Sequence, residues 1–217
     1  MKDLLKIVYE DEDLLVANKP PGILVDRPVS EETSLSDLVA SYAQRRVRPL
    51  HRLDRGTSGL VMFALNAKWN RYLTELFEKK RVRKAYWAIV KGDWDGQITK
   101  IDTNIAPVSP GRFRCHPTEG KPAITTFRKV DSNDGYSWIQ ALPKTGRTHQ
   151  IRLHCLEAGY PIVGDRFYSS DSHNPLLLHA RSLDFGLPSG ARRLSLTADP
   201  SDSWKPWLEL FEARKNS

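Results

Sequence analysis

The stretch HRLDRGTSGL, His51 to Leu60, sets one carboxylate, Asp54, between Arg52 and Arg55. Gly56, Thr57, Ser58 and Gly59 follow, and the chain then enters the apolar run LVMFAL. A carboxyl in water is ionised at neutral pH without help. Flanking guanidinium groups become useful where the site is desolvated and burial would favour the neutral acid. They also fix the orientation of the acid and hold phosphates beside it. The glycines permit a tight turn that can push a side chain out of the end of a strand. The spacing suits a catalytic carboxylate facing an anionic substrate. Spacing alone also suits, and more often means, a solvated ion-pair loop.

Two further clusters carry reactive or binding side chains. KTGRTHQIRLH, Lys144 to His154, places Arg147 near a predicted helix start, with His149, Arg152 and His154 beyond it. Such an end can hold an anion through side chains and backbone N–H groups, although a basic exposed helix face has the same pattern. His149 and His154 are five apart, not the four that puts metal ligands on one helix face. In RKAYWAIVKG, Lys84 and Tyr86 share one face of an alternating strand. A tyrosine there can stack on a base while the lysine meets a phosphate, or it can be a half-buried strand residue. There is no serine-hydrolase elbow, GxGxxG loop, Walker loop or HExxH motif. Any chemistry is therefore expected to run with no metal and no nucleotide cofactor.

These clusters need elements to position them. LKIVYEDEDLLVANKPPGILV reads as strand, acidic turn, strand, Pro-Pro-Gly turn and short strand. Ser34 to Arg46 has helical spacing, with Ser34 and Asp37 in a capping-box relation. GLVMFAL is a buried strand. Asn66 can cap the next helix, whose stripe is Trp69, Leu73, Leu76 and Phe77. A strand is expected from Lys84 to Lys91. Residues 104–122, rich in Pro and Gly, read as a long surface loop or small insertion. Two strands joined at Asn133–Gly135 follow, then a helix from Thr148 to Glu157 stopped by Gly159. Two strands around a Pro-Ser-Gly turn and an amphipathic helix in PWLELFEAR close the chain. Strands outnumber helices and are not regularly interleaved with them, which argues for α+β with a mainly antiparallel or mixed sheet.

The 217 residues are long enough to bury a substantial core, with 40% hydrophobic and 27% charged residues. The net charge of +7 and pI of about 9.4 point toward a polyanionic partner. Cys115 and Cys155 form no CxxC pair, which fits a reducing compartment rather than a disulfide framework. No stretch has the length and apolarity to span a membrane. A cytoplasmic protein is expected.

Taken together, VANKPPG, HRLDRGTSGL, KAYWAIVKG, TGRTHQIRLH and LLLHA, in that order, strongly resemble the RluA-type pseudouridine synthases. The resemblance runs from about Ile7 past Phe185 and implies one α+β catalytic core over residues 1–217. Its sheet is mixed, mostly antiparallel and flanked by helices. Many relatives carry an N-terminal S4 domain, and the sequence resembles the short branch without one. The implied reaction converts uridine in ribosomal or transfer RNA to pseudouridine. The N-glycosidic bond breaks, the base turns, and a carbon–carbon bond forms to the same sugar carbon, with no cofactor. By resemblance Asp54 is the essential aspartate, Tyr86 stacks on the target base, and Arg147 orients Asp54. Arg52 helps hold a flipped-out nucleotide, while Arg55, Lys84, His149 and Arg152 contact RNA or support the site. The implied partner is RNA, with no membrane, and the protein is expected to be a monomer. A rival reading is an RNA-binding or RNA-folding factor that keeps the fold without turnover. Another is a nucleoside hydrolase, which would be expected to bring several acids or a metal to the ribose.

Overall fold

A computed structural model describes residues 5–26, 33–169, 174–187 and 193–215. The first elements in chain order are β1 (Lys6–Glu10), β2 (Leu14–Lys19), α1 (Leu35–Ala43), β3 (Arg48–Pro49), β4 (Ser58–Ala64) and α2 (Ala67–Glu78). Next come β5 (Arg83–Lys91), β6 (Ile98–Ser109), β7 (Arg112–His116), β8 (Lys121–Asn133) and β9 (Tyr136–Pro143). Last are α3 (Gln150–Glu157), β10 (Leu178–Gly186), β11 (Arg193–Thr197) and α4 (Lys205–Lys215). The chain forms two compact units, residues 1–84 with 180–200 and residues 85–179 with 201–217. The α+β class expected from the sequence holds, and each strand pairing with a described register is antiparallel.

In the first unit β2 lies between β1 and β4, and β10 follows β4 in the sheet. Every residue of β4 is buried, as a continuous apolar run requires. Its core joins Leu60 and Met62 to Leu14, Val16 and Leu183, and α2 adds Leu73 and Leu76 with Trp69 and Phe77 packed against them. The predicted stripe of α2 is thus its core face. At α1 the Ser34 side chain accepts from the Asp37 N–H, and the Asp37 carboxylate accepts from the Ser34 N–H, so the capping box forms with aspartate. Gly59 has a positive φ of 113°, and a Cβ there would lie 2.4 Å from the Ala180 carbonyl oxygen. That close backbone approach explains the second glycine of HRLDRGTSGL.

The short strand expected after Pro-Pro-Gly does not form. Instead the Leu24 and Val25 carbonyls accept from the Leu35 and Ser36 N–H groups, so this segment is tied to the start of α1. The turn expected at Pro188–Gly190 lies outside the described residues, while both of its flanking strands are present.

In the second unit the strand order is β5-β9-β8-β6-β7. Asp134 and Gly135 both have positive φ, the two-residue turn that matches strand twist between β8 and β9. The reading of 104–122 as a loop is wrong. Most of it is a hairpin of β6 and β7 that turns at Pro110–Gly111, followed by the first residues of β8. Proline content misled: Pro107 lies beyond the last β6–β8 pair, Ile105–Lys121, where β6 has β7 alone beside it. A strand with an open edge tolerates a residue that cannot donate. α3 begins at Gln150, two residues later than expected, and Gly159 ends it with a φ of 85°.

Candidate active site

In the first unit the segment before the Asp54 motif is laid along β4. Arg48 and Pro49 pair with Ala64 and Phe63. The Leu50 N–H donates to the Met62 carbonyl, and the Met62 N–H donates to His51 Nε2 at 3.2 Å. His51 stacks on Phe77. Burial, with Lys84's charge adding to it, drives the imidazole down to about 3, so His51 is a neutral structural acceptor. The chain then reverses. The Thr57 N–H closes a turn onto the Asp54 carbonyl at 3.1 Å and leads into β4. Leu53 points into the core, Asp54 is half-buried, and Arg52 and Arg55 are exposed.

A residue that sequence reasoning missed holds this turn. Lys19, at the end of β2, is fully buried. Its Nζ donates to the carbonyls of Pro20 at 2.9 Å, Ile23 at 2.9 Å and Arg55 at 3.0 Å. The Arg55 carbonyl also accepts from the Gly22 N–H at 2.8 Å. An ammonium has three donors, and here three carbonyls receive them. The Pro-Pro-Gly turn and the Asp54 turn are therefore clamped together one residue from the carboxylate. The available signal was a lysine ending an otherwise apolar strand, LLVANK, directly before two prolines.

Burial drives the Lys19 ammonium from 10.5 to about 7; the Asp54 charge pulls it back up and the Arg55 charge pushes it down. Between those two values the unfolded chain holds the proton and the folded chain does not. The contribution of Lys19 to stability therefore rises with pH across that window and is level below it. The expected result is an unfolding free-energy difference, parent minus Lys19→Met, that grows from about pH 7 to about pH 10 in denaturant titrations. A flat difference would show that the ammonium keeps its charge on the three carbonyls.

Lys84, also of this unit, is half-buried, and burial lowers its pKa. Its charge is felt by His51. The remaining expected site residues, Tyr86, Arg147, His149 and Arg152, belong to the second unit. Tyr86 pairs with Ala141 across β5 and β9 and packs its half-buried ring against the Ala88, Phe127 and Ile139 cluster.

Around Arg147 the backbone is held from inside. The Arg147 N–H donates to Gln150 Oε1 at 3.0 Å, and its side-chain Nε donates to the Pro122 carbonyl at 3.0 Å. Among the described residues its Nη atoms take part in no further hydrogen bond or ion pair. The guanidinium is thus anchored at its inner edge, and its outer edge is available to an anion. His149 sits at a φ of 56°. Its Nδ1 lies 2.7 Å from the Tyr168 hydroxyl, and Phe113, Phe167 and Tyr168 surround its ring.

The structure bears on two readings of this segment, the basic exposed face and the choice for Arg152 between RNA contact and support of the site. The residues from Gln150 to Cys155 are buried, so α3 presents no basic exposed face. Arg152 is 5% exposed and paired through Nε and Nη2 with Asp165, at 2.8 and 2.7 Å. Its guanidinium also lies 5.1 Å from the ring centroids of Phe167 and Tyr168. A guanidinium so placed serves the fold rather than a phosphate. His154 is buried and held down to about 4 by burial, against the opposing charge of Asp102.

The family model described as RNA pseudouridylate synthase matches residues 13–157. A tRNA pseudouridine synthase C from Haemophilus ducreyi is 34% identical over 238 residues, covering 95% of this chain and 96% of that protein. A ribosomal large subunit pseudouridine synthase D from Borreliella burgdorferi is also 34% identical, covering 83% of this chain and 60% of its own length. Among solved structures, human RNA pseudouridylate synthase domain containing 1 superposes with a TM-score of 0.77 at 26% identity, covering 96% of this chain and 95% of its own. Human RNA pseudouridylate synthase domain containing 4 shares the fold, with a TM-score of 0.82 at 22% identity over 95% and 93% of the two chains. Sequence relatives along almost the whole chain, and a backbone that follows theirs, agree that this chain belongs to the RNA pseudouridylate synthases, as an isomerase of the RluA type.

Proposed function

We propose that the protein isomerises specific uridines in ribosomal RNA, transfer RNA or both, with Asp54 as the catalytic carboxylate acting on a flipped-out nucleotide. The observation that carries this reading is the clamped turn. The backbone turn that carries a half-buried acid is fixed by Lys19 and the Thr57 N–H, while two exposed arginines flank the acid. A solvated ion-pair loop has no use for a buried lysine committed to three carbonyls. The relatives' names divide between transfer RNA and large-subunit ribosomal RNA, which supports the substrate class and leaves both in the proposal.

A base within a helix is out of reach of such a carboxylate, and extruding it costs a few kcal/mol. Stacking on Tyr86 and phosphate contacts from Arg52 and Arg55 offset that cost. Arg147 offers its outer Nη edge to a negative charge. His149 supports the aromatic cluster, and Lys84 stands beside the motif. The exposed Arg112 and Arg114 of the β6–β7 hairpin extend the basic surface. RNA is the sole partner in this reading. The protein acts as a monomer in the cytoplasm, where two free cysteines are at home. Among the described residues no helix is long and apolar enough to cross a membrane.

The direct test incubates the protein with cellular RNA lacking its modification and maps new pseudouridines at nucleotide resolution. New sites name the substrate. RNA binding without any new site would favour the rival, an RNA-folding factor.

Tyr86 separates stacking from proton chemistry. Tyr86→Phe is expected to keep the fold, RNA binding and turnover, because the ring still stacks. Tyr86→Ala should weaken the base-flipped complex by about 1–3 kcal/mol, the usual worth of a base–aromatic stack. Single-turnover rates and binding isotherms, each beside a thermal melt, check both. If Phe is as inactive as Ala with normal binding, the hydroxyl takes part in chemistry. If both turn over like the parent, Tyr86 is a strand residue alone.

A further inference from the structure

We infer that Gln150 is a positioning residue for Arg147, acting through the Arg147 backbone; this rests on the reading that Arg147 is needed for turnover. Gln150 is 4% exposed, at the first position of α3. Its amide makes four hydrogen bonds. Oε1 accepts from the Thr145 hydroxyl at 2.7 Å and from the Arg147 N–H at 3.0 Å. Nε2 donates to the Ile124 carbonyl and to the Thr125 hydroxyl, each at 3.0 Å. Both lone pairs and both protons are used, so the amide can adopt one orientation only.

The four partners are not equivalent. The Thr145 hydroxyl also accepts from the Ile124 N–H at 2.9 Å. The Ile124 carbonyl also accepts from the Lys144 N–H at 2.9 Å. The Thr125 hydroxyl also meets His154 Nδ1 at 2.9 Å. The Arg147 N–H, among the described residues, has Gln150 alone. Loss of the amide leaves β8 and Thr145 with a remaining partner each. It leaves the Arg147 N–H without its partner, so the backbone from which the side chain departs is held by the Arg147 carbonyl on the Gln150 N–H alone.

The consequence is geometric. Arg147 is fixed at three points, its N–H on Gln150 Oε1, its carbonyl on the Gln150 N–H at 3.1 Å, and its Nε on Pro122. All three anchors trace to the first residues of β8, since Gln150 is itself bonded to Ile124 and Thr125. The outer edge of the guanidinium is therefore aimed by the strand, with Gln150 as the connector. A charge that must meet an anion loses much of its effect when displaced by about 1 Å, a shift that can cost on the order of a hundredfold in rate.

The test is a double-mutant cycle of Gln150→Met and Arg147→Ala, read by single-turnover rate, RNA dissociation constant and thermal melt. Gln150→Met is expected to slow turnover at least about tenfold, with RNA affinity within a few-fold. In the Arg147→Ala background it should cost nothing further, because the group through which it acts is gone. Equal losses from Gln150→Met in both backgrounds would overturn the inference while leaving Arg147 essential. So would parental turnover by Gln150→Met. Parental turnover by Arg147→Ala would instead overturn the role of Arg147, and this inference with it. Should Gln150→Met fail to fold, Thr145→Val, which removes the hydroxyl that holds Oε1, replaces it in the same cycle. A loss confined to the Arg147 background then supports the inference, and equal losses in both backgrounds overturn it.

Discussion

Asp54→Asn is expected to abolish isomerisation while leaving RNA affinity within a few-fold of the parent. The substitution keeps side-chain size and removes the charge. The turn does not depend on that charge for its closing bond, which runs from the Thr57 N–H to the Asp54 carbonyl. The Lys19 clamp keeps its acceptors, the carbonyls of Pro20, Ile23 and Arg55, although the Asp54 charge that helps hold the ammonium's proton is gone. Asparagine is also at home in turns, so the variant should fold. Arg52 and Arg55 remain exposed, and removing an acid from between them makes the phosphate-binding surface more positive. Affinity is thus expected to hold or rise, with the salt dependence of phosphate contacts retained. The measurement pairs pseudouridine mapping under single-turnover conditions with a binding isotherm. Substantial turnover by a purified, folded Asp54→Asn protein would sink the assignment of Asp54 as the catalytic group.

The largest effect on stability is expected at Asp165. Its carboxylate is 1% exposed and accepts both Arg152 bonds as well as the Phe167 N–H at 3.0 Å and the Tyr168 N–H at 3.3 Å. Asp165→Asn would leave the Arg152 guanidinium buried without its counter-charge. Breaking such a pair from one side costs about 3–5 kcal/mol, because the remaining charge is uncompensated. Against a typical domain stability of roughly 5–15 kcal/mol that is a large fraction. At about 2–4 °C per kcal/mol for a chain of this size, the melting temperature should drop by at least about 6 °C. Replacing both partners, Arg152→Met with Asp165→Leu, should recover part of the loss, since two apolar groups leave no orphaned charge. A thermal melt of Asp165→Asn within a degree or two of the parent would show that the pair contributes little.

The same pair also shapes the neighbourhood of Arg147. Asp165 sets the backbone of Phe167 and Tyr168, whose rings pack on Arg152 and on His149. Loosening of that aromatic cluster is expected to accompany the loss of stability, within the second unit. Turnover by Asp165→Asn should therefore fall even at temperatures where the protein remains folded.

The sequence by itself determined the family and those elements whose signals are local. A continuous apolar run dictated β4, the helical stripe dictated α2, and Asn-Asp-Gly dictated the turn between β8 and β9. Ser34 with Asp37 dictated the start of α1. Each of these rests on residues within a few positions of one another, where periodicity, capping and turn chemistry operate. Asp54 stood out as a candidate for the same reason, as an acid between arginines on a glycine turn. Tertiary structure alone decided which charged and polar residues are spent on the fold. Lys19 reaches Arg55 across 36 positions, Arg152 finds Asp165 across 13, and Gln150 meets Ile124 across 26. Nothing local to any of them tells a phosphate-binding arginine from a buried one. Desolvation makes a charge or an amide costly inside unless a partner arrives to satisfy it, and that partner comes from another element. The hairpin at 98–116 shows the same limit from the other side. Its prolines read as a loop because proline removes a local donor, and only the strand order left β6 an edge where that donor was not required.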